Sequence, residues 1–270
     1  MMKFILIAIV LFLAFQINVI LGCAAVVIAL CFILYWNIPF FYARSGNKAF
    51  SEGNQKKAVE LYEKAYKTGR ASADTMLTYG ILLLRNAKPQ EAVTVFNLIV
   101  MNASYKNEIK NKAKQYRSLA YYKLGNTEDA LEDAEAVFES YKNTLGYSLL
   151  GYLKIALNKP IDEIYAFCKE AYEYNSDDRD ICDNMAVACI RSGELDKAKE
   201  IVDEMIEKFP TFTEAYYHGA VVSLKSGDRE KAKELINLID EKCKRTYLTT
   251  VSEEEIESLK KELNGESTND

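Results

Sequence analysis

The side chains with the most chemistry to offer are three thiols and one imidazole. Cys182 and Cys189 lie seven residues apart, so a helix would put them on one face, with Cys168 on the helical stretch before them. Converging thiols of that kind could bind zinc or act as a redox centre. His218 is the single histidine, and no Cys or carboxylate motif of metal-ligand spacing surrounds it, so it reads as a helix-surface side chain. There is no glycine-rich phosphate loop and no nucleophile elbow. The expectation is a protein with no catalytic residue, no cofactor and no metal.

The next feature is electrostatic. Lys106, Lys110, Lys114 and Arg117 follow one another at intervals of four, four and three, which is one face of a helix. Two readings stay open for this candidate basic surface: a solvated face, or contact with anionic lipid or an acidic partner. Charge is uneven along the chain. Residues 1–44 carry two basic side chains and no acid, 45–143 carry 15 basic against 12 acidic, and 144–270 carry 17 against 27. An acidic distal half argues against nucleic acid, which needs concentrated Lys and Arg to neutralise phosphate.

These residues have to be positioned by a repeat. Ala58, Ala92, Ala130, Ile164, Ala198 and Ala232 are separated by 34, 38, 34, 34 and 34 residues, and each opens the second of two amphipathic helical stretches. Small residues at Gly46, Gly80, Gly151, Ala186 and Ala220 would let the two helices of a unit approach closely, while large residues between them fill the gaps. The run Leu119-Ala-Tyr-Tyr-Lys-Leu-Gly125 with Ala130 and Val137 resembles the tetratricopeptide repeat (TPR) family. So do Ala186, Cys189, Gly193, Ala198, Met205 and Pro210, and likewise Tyr216, Ala220, Gly227, Ala232 and Ile239. The resemblance covers about residues 39 to 245 and places all three thiols at core positions, where cysteine acts as a small hydrophobe.

The expected fold is all-α: an N-terminal transmembrane helical hairpin, an α-solenoid of about six TPR-like helix pairs, and a C-terminal capping helix. The hairpin occupies residues 1–38 with its turn near 16–22. The solenoid occupies 39–245, with repeats at about 39–72, 73–106, 111–144, 145–178, 179–212 and 213–246. The capping helix spans 247–264, opened by the capping box Ser252-Glu-Glu-Glu255, and 265–270 form a disordered tail.

The hairpin rests on length. No charged residue occurs from Phe4 to Tyr35, and extending the run to Ala43 gives a helix of about 60 Å, twice a hydrocarbon core of about 30 Å. Two helices crossing and returning would fit, with Tyr35, Trp36 and Phe40 to Tyr42 as an aromatic girdle. Lys3, Arg44 and Lys48 flank the two ends, so the positive-inside rule places both ends and the array in the cytoplasm, with the protein multi-pass in the cell membrane. Ile20-Leu21-Gly22-Cys23 also has the look of a bacterial lipobox, but the sequence stays apolar from Ala24 to Trp36. A composition rich in Lys, Asn, Ile and Tyr with little Pro points to a bacterium.

TPR arrays usually bind along the concave face made by each first helix, and the resemblance assigns Asn47, Ile81, Leu84, Arg85, Leu119, Tyr122, Tyr152, Asp183, Val187, Arg191, Tyr217 and Val221 to that groove. The lining suits a partner helix or an extended peptide with apolar anchors, and equally suits packing between adjacent repeats. The expected function is a membrane-anchored, non-catalytic scaffold or adaptor for a protein or peptide partner. The alternatives are an extracytoplasmic lipoprotein or signal-anchored protein of envelope assembly, and a regulatory subunit of a membrane enzyme complex. Whether copies associate with one another is open on sequence grounds.

Overall fold

A computed structural model describes residues 2–243 and 245–265. All fourteen elements among the described residues are α-helices: α1 (Met2–Ile17), α2 (Val19–Ser51), α3 (Gln55–Lys67), α4 (Ala73–Arg85), α5 (Pro89–Met101), α6 (Asn107–Lys123), α7 (Thr127–Phe138), α8 (Thr144–Ala156), α9 (Ile161–Tyr174), α10 (Arg179–Ser192), α11 (Leu195–Lys208), α12 (Thr213–Lys225), α13 (Arg229–Lys242) and α14 (Glu253–Asn264). They divide into two compact units, Met1–Leu82 and Leu83–Asp270. All but Gly265 of the expected tail, residues 266–270, lies outside the described residues.

In the first unit the apolar run breaks at a single residue. Asn18 is extended, and its side chain accepts the Ile20 N–H at 2.7 Å to start α2. Val10, Leu13, Ala14 and Ile17 then face Leu21, Ala24, Ala25 and Ile28 across an apolar cleft, so α1 folds back on α2. Gly22 allows this approach, since a Cβ there would lie 2.3 Å from the Phe15 ring. The expectation of two membrane-crossing helices is not supported. Among the described residues only Val19–Ser51 is long and apolar enough to cross a bilayer; the apolar stretch Leu6–Ile17 of α1 would reach about 18 Å at about 1.5 Å per residue.

Helix α2 continues through Pro39 into the first repeat. Proline has no N–H to offer the carbonyl four residues back. Arg70 supplies the missing donor: its Nη2 lies 3.2 Å from the Tyr35 carbonyl, its Nη1 donates to the Tyr35 hydroxyl at 2.9 Å, and the guanidinium sits 3.9 Å from the ring centre. Further along, α2 buries Pro39, Ala43, Gly46 and Ala49 towards α3, where Gly46 leaves room for the Tyr62 ring.

The second unit stacks helix pairs: α6 on α7, α8 on α9, α10 on α11 and α12 on α13, with the first helices α6, α8, α10 and α12 also meeting in succession. Gly125, Gly193 and Gly227 turn the chain between the helices of a pair with positive φ, and Ala87 and Asn158 adopt the same left-handed geometry where glycine is absent. The longer interval between Ala92 and Ala130 is absorbed in α6, which has 17 residues where α8 and α12 have 13. Four residues are about one helical turn, so the buried face keeps its direction. At the C-terminus α14 carries the expected capping box and buries Ile256, Leu259 and Leu263 against Leu235, Ile236 and Ile239. Residues 247–252, which the sequence reading gives to the capping helix, instead form a turn and its cap ahead of α14.

Candidate functional site

The inward faces of α6, α8, α10 and α12 surround a cavity of about 300 Å³. Arg85, Leu119, Tyr152 and Asp183, expected in the groove, all line it. Tyr122 stands beside it, edge-on to Tyr152 with ring centres 5.3 Å apart. Burial pushes the Tyr152 phenol well above its ordinary value, with Tyr122, Glu255 and Glu214 adding to the shift.

A segment that the sequence reading gives to the end of the last repeat and to the capping helix closes the cavity. Thr246, Leu248, Thr249 and Thr250, between α13 and α14, turn into it. Thr250 donates its backbone N–H at 2.7 Å and its hydroxyl at 3.1 Å to one oxygen of Glu214, which is almost fully buried. Tyr247 lies beneath Lys123, 5.4 Å from ring centre to ammonium. Burial and the Asp183 carboxylate raise the pKa of Glu214, while the bonds from Thr250 oppose them.

His218 is no surface side chain. It bridges two repeats, its Nδ1 lying 2.6 Å from the carboxylate of Asp183 on α10. Burial alone would lower its pKa, but Asp183, helped by Glu214 and Glu255, outweighs burial and holds it above its ordinary value. A histidine pKa raised on folding contributes stability that is complete below the unfolded value of about 6.5 and is lost as pH rises through the folded value. Thermal melting of the full chain should therefore fall as pH rises above about 6.5, and His218→Asn should flatten that part of the profile. An unchanged slope in the variant would show that the pair carries no linkage.

Several expected groove residues are used otherwise. Leu84 is fully buried and cannot meet a partner, because its position on α4 points into the core. Arg191 donates to the Ile155 carbonyl at 3.0 Å and to Asn158, tying α10 to α8, and Val187 packs against the core cluster around Met185 and Val202. In the first unit, Asn47 accepts the Tyr62 hydroxyl and Ile81 is half-buried. The basic stripe also loses a member. Arg117 turns inward and pairs with Asp133 and Asn97, leaving Lys106 exposed and Lys110 and Lys114 half-buried.

The thiols are core residues. Cys168, Cys182 and Cys189 belong to one apolar cluster, where burial pushes them up to about 12, 11 and 11. They are protonated at neutral pH and so poor nucleophiles and ligands. Among the described residues no three metal-binding side chains gather.

The polar contacts missed from sequence share a signature. Asp183 to His218, Asn184 to Ser148, and Glu214 to Thr250 join residues 35, 36 and 36 apart, about one repeat. A search for complementary polar residues one period apart would find them.

Solved structures share this architecture. A tetratricopeptide repeat protein from Parabacteroides merdae superposes with a TM-score of 0.58 at 17% identity, over 84% of this chain and 86% of that one. The chain has the TPR fold. PilF of Pseudomonas aeruginosa superposes with a TM-score of 0.59 at 15% identity over 84% and 98% of the two chains, and a thermophilic TPR protein of Thermus thermophilus with 0.56 at 16% over 72% and 98%. No family model matches the sequence, and no curated protein matches it either. Within the TPR fold, the cavity described above lies where successive first helices face inward.

Proposed function

We propose that this protein is a non-catalytic scaffold, anchored in the membrane by α2, that holds a protein or peptide partner on the inward face of a cytoplasmic TPR array. The array would span residues 39–245, with 247–264 closing its end. The observation that carries the binding half is the cavity bounded by Tyr152, Asp183 and Glu214: it mixes aromatic surface with a few convergent polar groups, as binding sites do. Tethering would confine the groove near the bilayer and raise its effective concentration for membrane partners.

The anchor is supported by exposure. Val27, Ile28, Leu30 and Leu34 of α2 are each more than half exposed, and a continuous apolar face of that kind is unfavourable in water and satisfied by lipid. Arg44, Lys48, Lys56 and Lys57 follow the apolar run, which favours the cytoplasm for the array. Buried unpaired thiols suit a reducing compartment.

The test is crosslinking from groove positions in membranes, followed by mass spectrometry. Tyr122→Ala and Tyr217→Ala should each reduce the captured partner about tenfold while changing stability by no more than about 1 kcal/mol, since neither side chain is fully buried. Variants that melt early yet capture normally would refute the groove.

The shortness of Leu6–Ile17 favours a second reading, because a secretory signal has an apolar stretch of about 7–15 residues. The protein would then work outside the cytoplasm in envelope assembly. A cysteine placed at Met101, which is 80% exposed, distinguishes the two by its labelling in intact and in lysed cells.

A further inference from the structure

Between α12 and α14 runs an open groove of about 720 Å³. Its floor is Tyr217, Val221 and Leu224, at spacings of four and three along one face of α12, all half-buried. Its wall on α14 is acidic: Glu254, Glu255 and Glu262. Lys225 is the one cation on its rim.

The acids of α14 fall into two groups by direction. Those outside the groove are neutralised within the fold: Glu253 pairs with Arg245 at 2.7 Å and Glu257 with Lys260 at 2.9 Å. Those that line the groove are not. Glu255 accepts the Ser252 N–H in the capping box, and among the described residues no cation pairs with the carboxylate of Glu254 or of Glu262, whose backbone carbonyl accepts from Arg229 at 2.6 Å. Their field reaches the floor, since Tyr217 is raised by burial with Glu255 and Glu262 adding to it.

Resting on the scaffold reading above, we propose that this groove docks a short Lys/Arg-rich segment of the partner protein, with an apolar side chain of that segment seated on Val221 and Leu224. Three like charges held beside an apolar strip are mutually repulsive in the free protein, and a cationic segment relieves the repulsion as its apolar side chain displaces water. The half-buried ring of Tyr217 gives a lysine or arginine a further contact.

The probe is a labelled octapeptide of lysines interrupted by two leucines, with a counterpart carrying glutamate for every lysine. Both are titrated against the full chain in zwitterionic lipid nanodiscs, with empty discs as the blank. The cationic peptide should bind, and should weaken as salt rises from about 0.05 to 0.5 M. Glu254→Lys/Glu262→Lys should weaken it about tenfold or more and gain affinity for the acidic peptide; Glu254→Gln/Glu262→Gln should weaken it without that gain. Val221→Ser should weaken it without changing the salt dependence. Both charge variants should stay folded, with melting shifted by no more than a few degrees, since Glu254 and Glu262 are exposed at the two ends of α14 and among the described residues neither carboxylate is ion-paired. Equal binding of the two peptides, or indifference to charge reversal, would overturn the proposal. If crosslinking through Tyr122 still captures a partner in the charge-reversed protein at the original yield, the scaffold reading stands and only this one falls.

Discussion

Gly151→Leu should destabilise the unit of residues 83–270 by about 4 kcal/mol, enough to unfold the centre of the array at physiological temperature. Gly151 lies on α8 where α10 crosses it, and a Cβ built there stands 2.9 Å from Nδ2 of Asn184. Asn184 cannot simply move aside. It is 5% exposed and donates to the Ser148 carbonyl at 2.8 Å, a polar bond that joins the two helices. A leucine forces α8 and α10 apart, at about 1–3 kcal/mol for overpacking, and strands a buried amide, at about 1–3 kcal/mol more. Each repeat is stabilised by its neighbours, so a wedge here also weakens the pairs on either side. Gly151→Ala should cost roughly half as much. Thermal melts followed by helical circular dichroism provide the check, and a leucine variant that melts within a few degrees of the parent would mean that the two helices are not held at this distance.

Asp133→Ala is the second large effect, at about 3 kcal/mol, because it leaves a guanidinium in the interior without its counter-charge. Arg117 meets Asp133 through two bonds, Nε to Oδ2 and Nη2 to Oδ1, each 2.6 Å, and Nη1 reaches Asn97 at 2.6 Å. Both side chains of the pair are little exposed, at 14% and 12%. The fork geometry is worth most where water is excluded, and its loss costs most there too. Arg117→Met/Asp133→Leu should stay within about 1 kcal/mol of the parent, since removing both charges also removes their desolvation cost. A single Asp133→Ala variant as stable as the double would reduce the pair to a surface contact.

Much of the architecture can be read from the chain without coordinates. Spacing of small residues at Ala58, Ala92, Ala130, Ala198 and Ala232 specifies where helices approach, and their close approach is what makes a stacked array possible. Ser252 and Glu255 announce the start of α14 because a capping box is a contact between residues three apart. Burial of Cys168, Cys182 and Cys189 is what the TPR resemblance implies for their positions. Such features are local: helical geometry alone relates residues within a turn or two, so sequence order is enough to find them.

Only the tertiary structure decided which polar side chains meet. His218 is solitary in sequence and paired with Asp183 in space; Arg117 is one of four bases on a stripe and turns inward to Asp133; Leu84 is assigned to the groove and points into the core. Continuity of α2 through Pro39 likewise depends on Arg70, 35 residues beyond the carbonyl it serves. In each case the outcome depends on the stagger and rotation of one helix against the next. Packing of large side chains into the gaps sets that offset, and a difference of one turn, about 5.4 Å, separates a buried ion pair from two solvated charges.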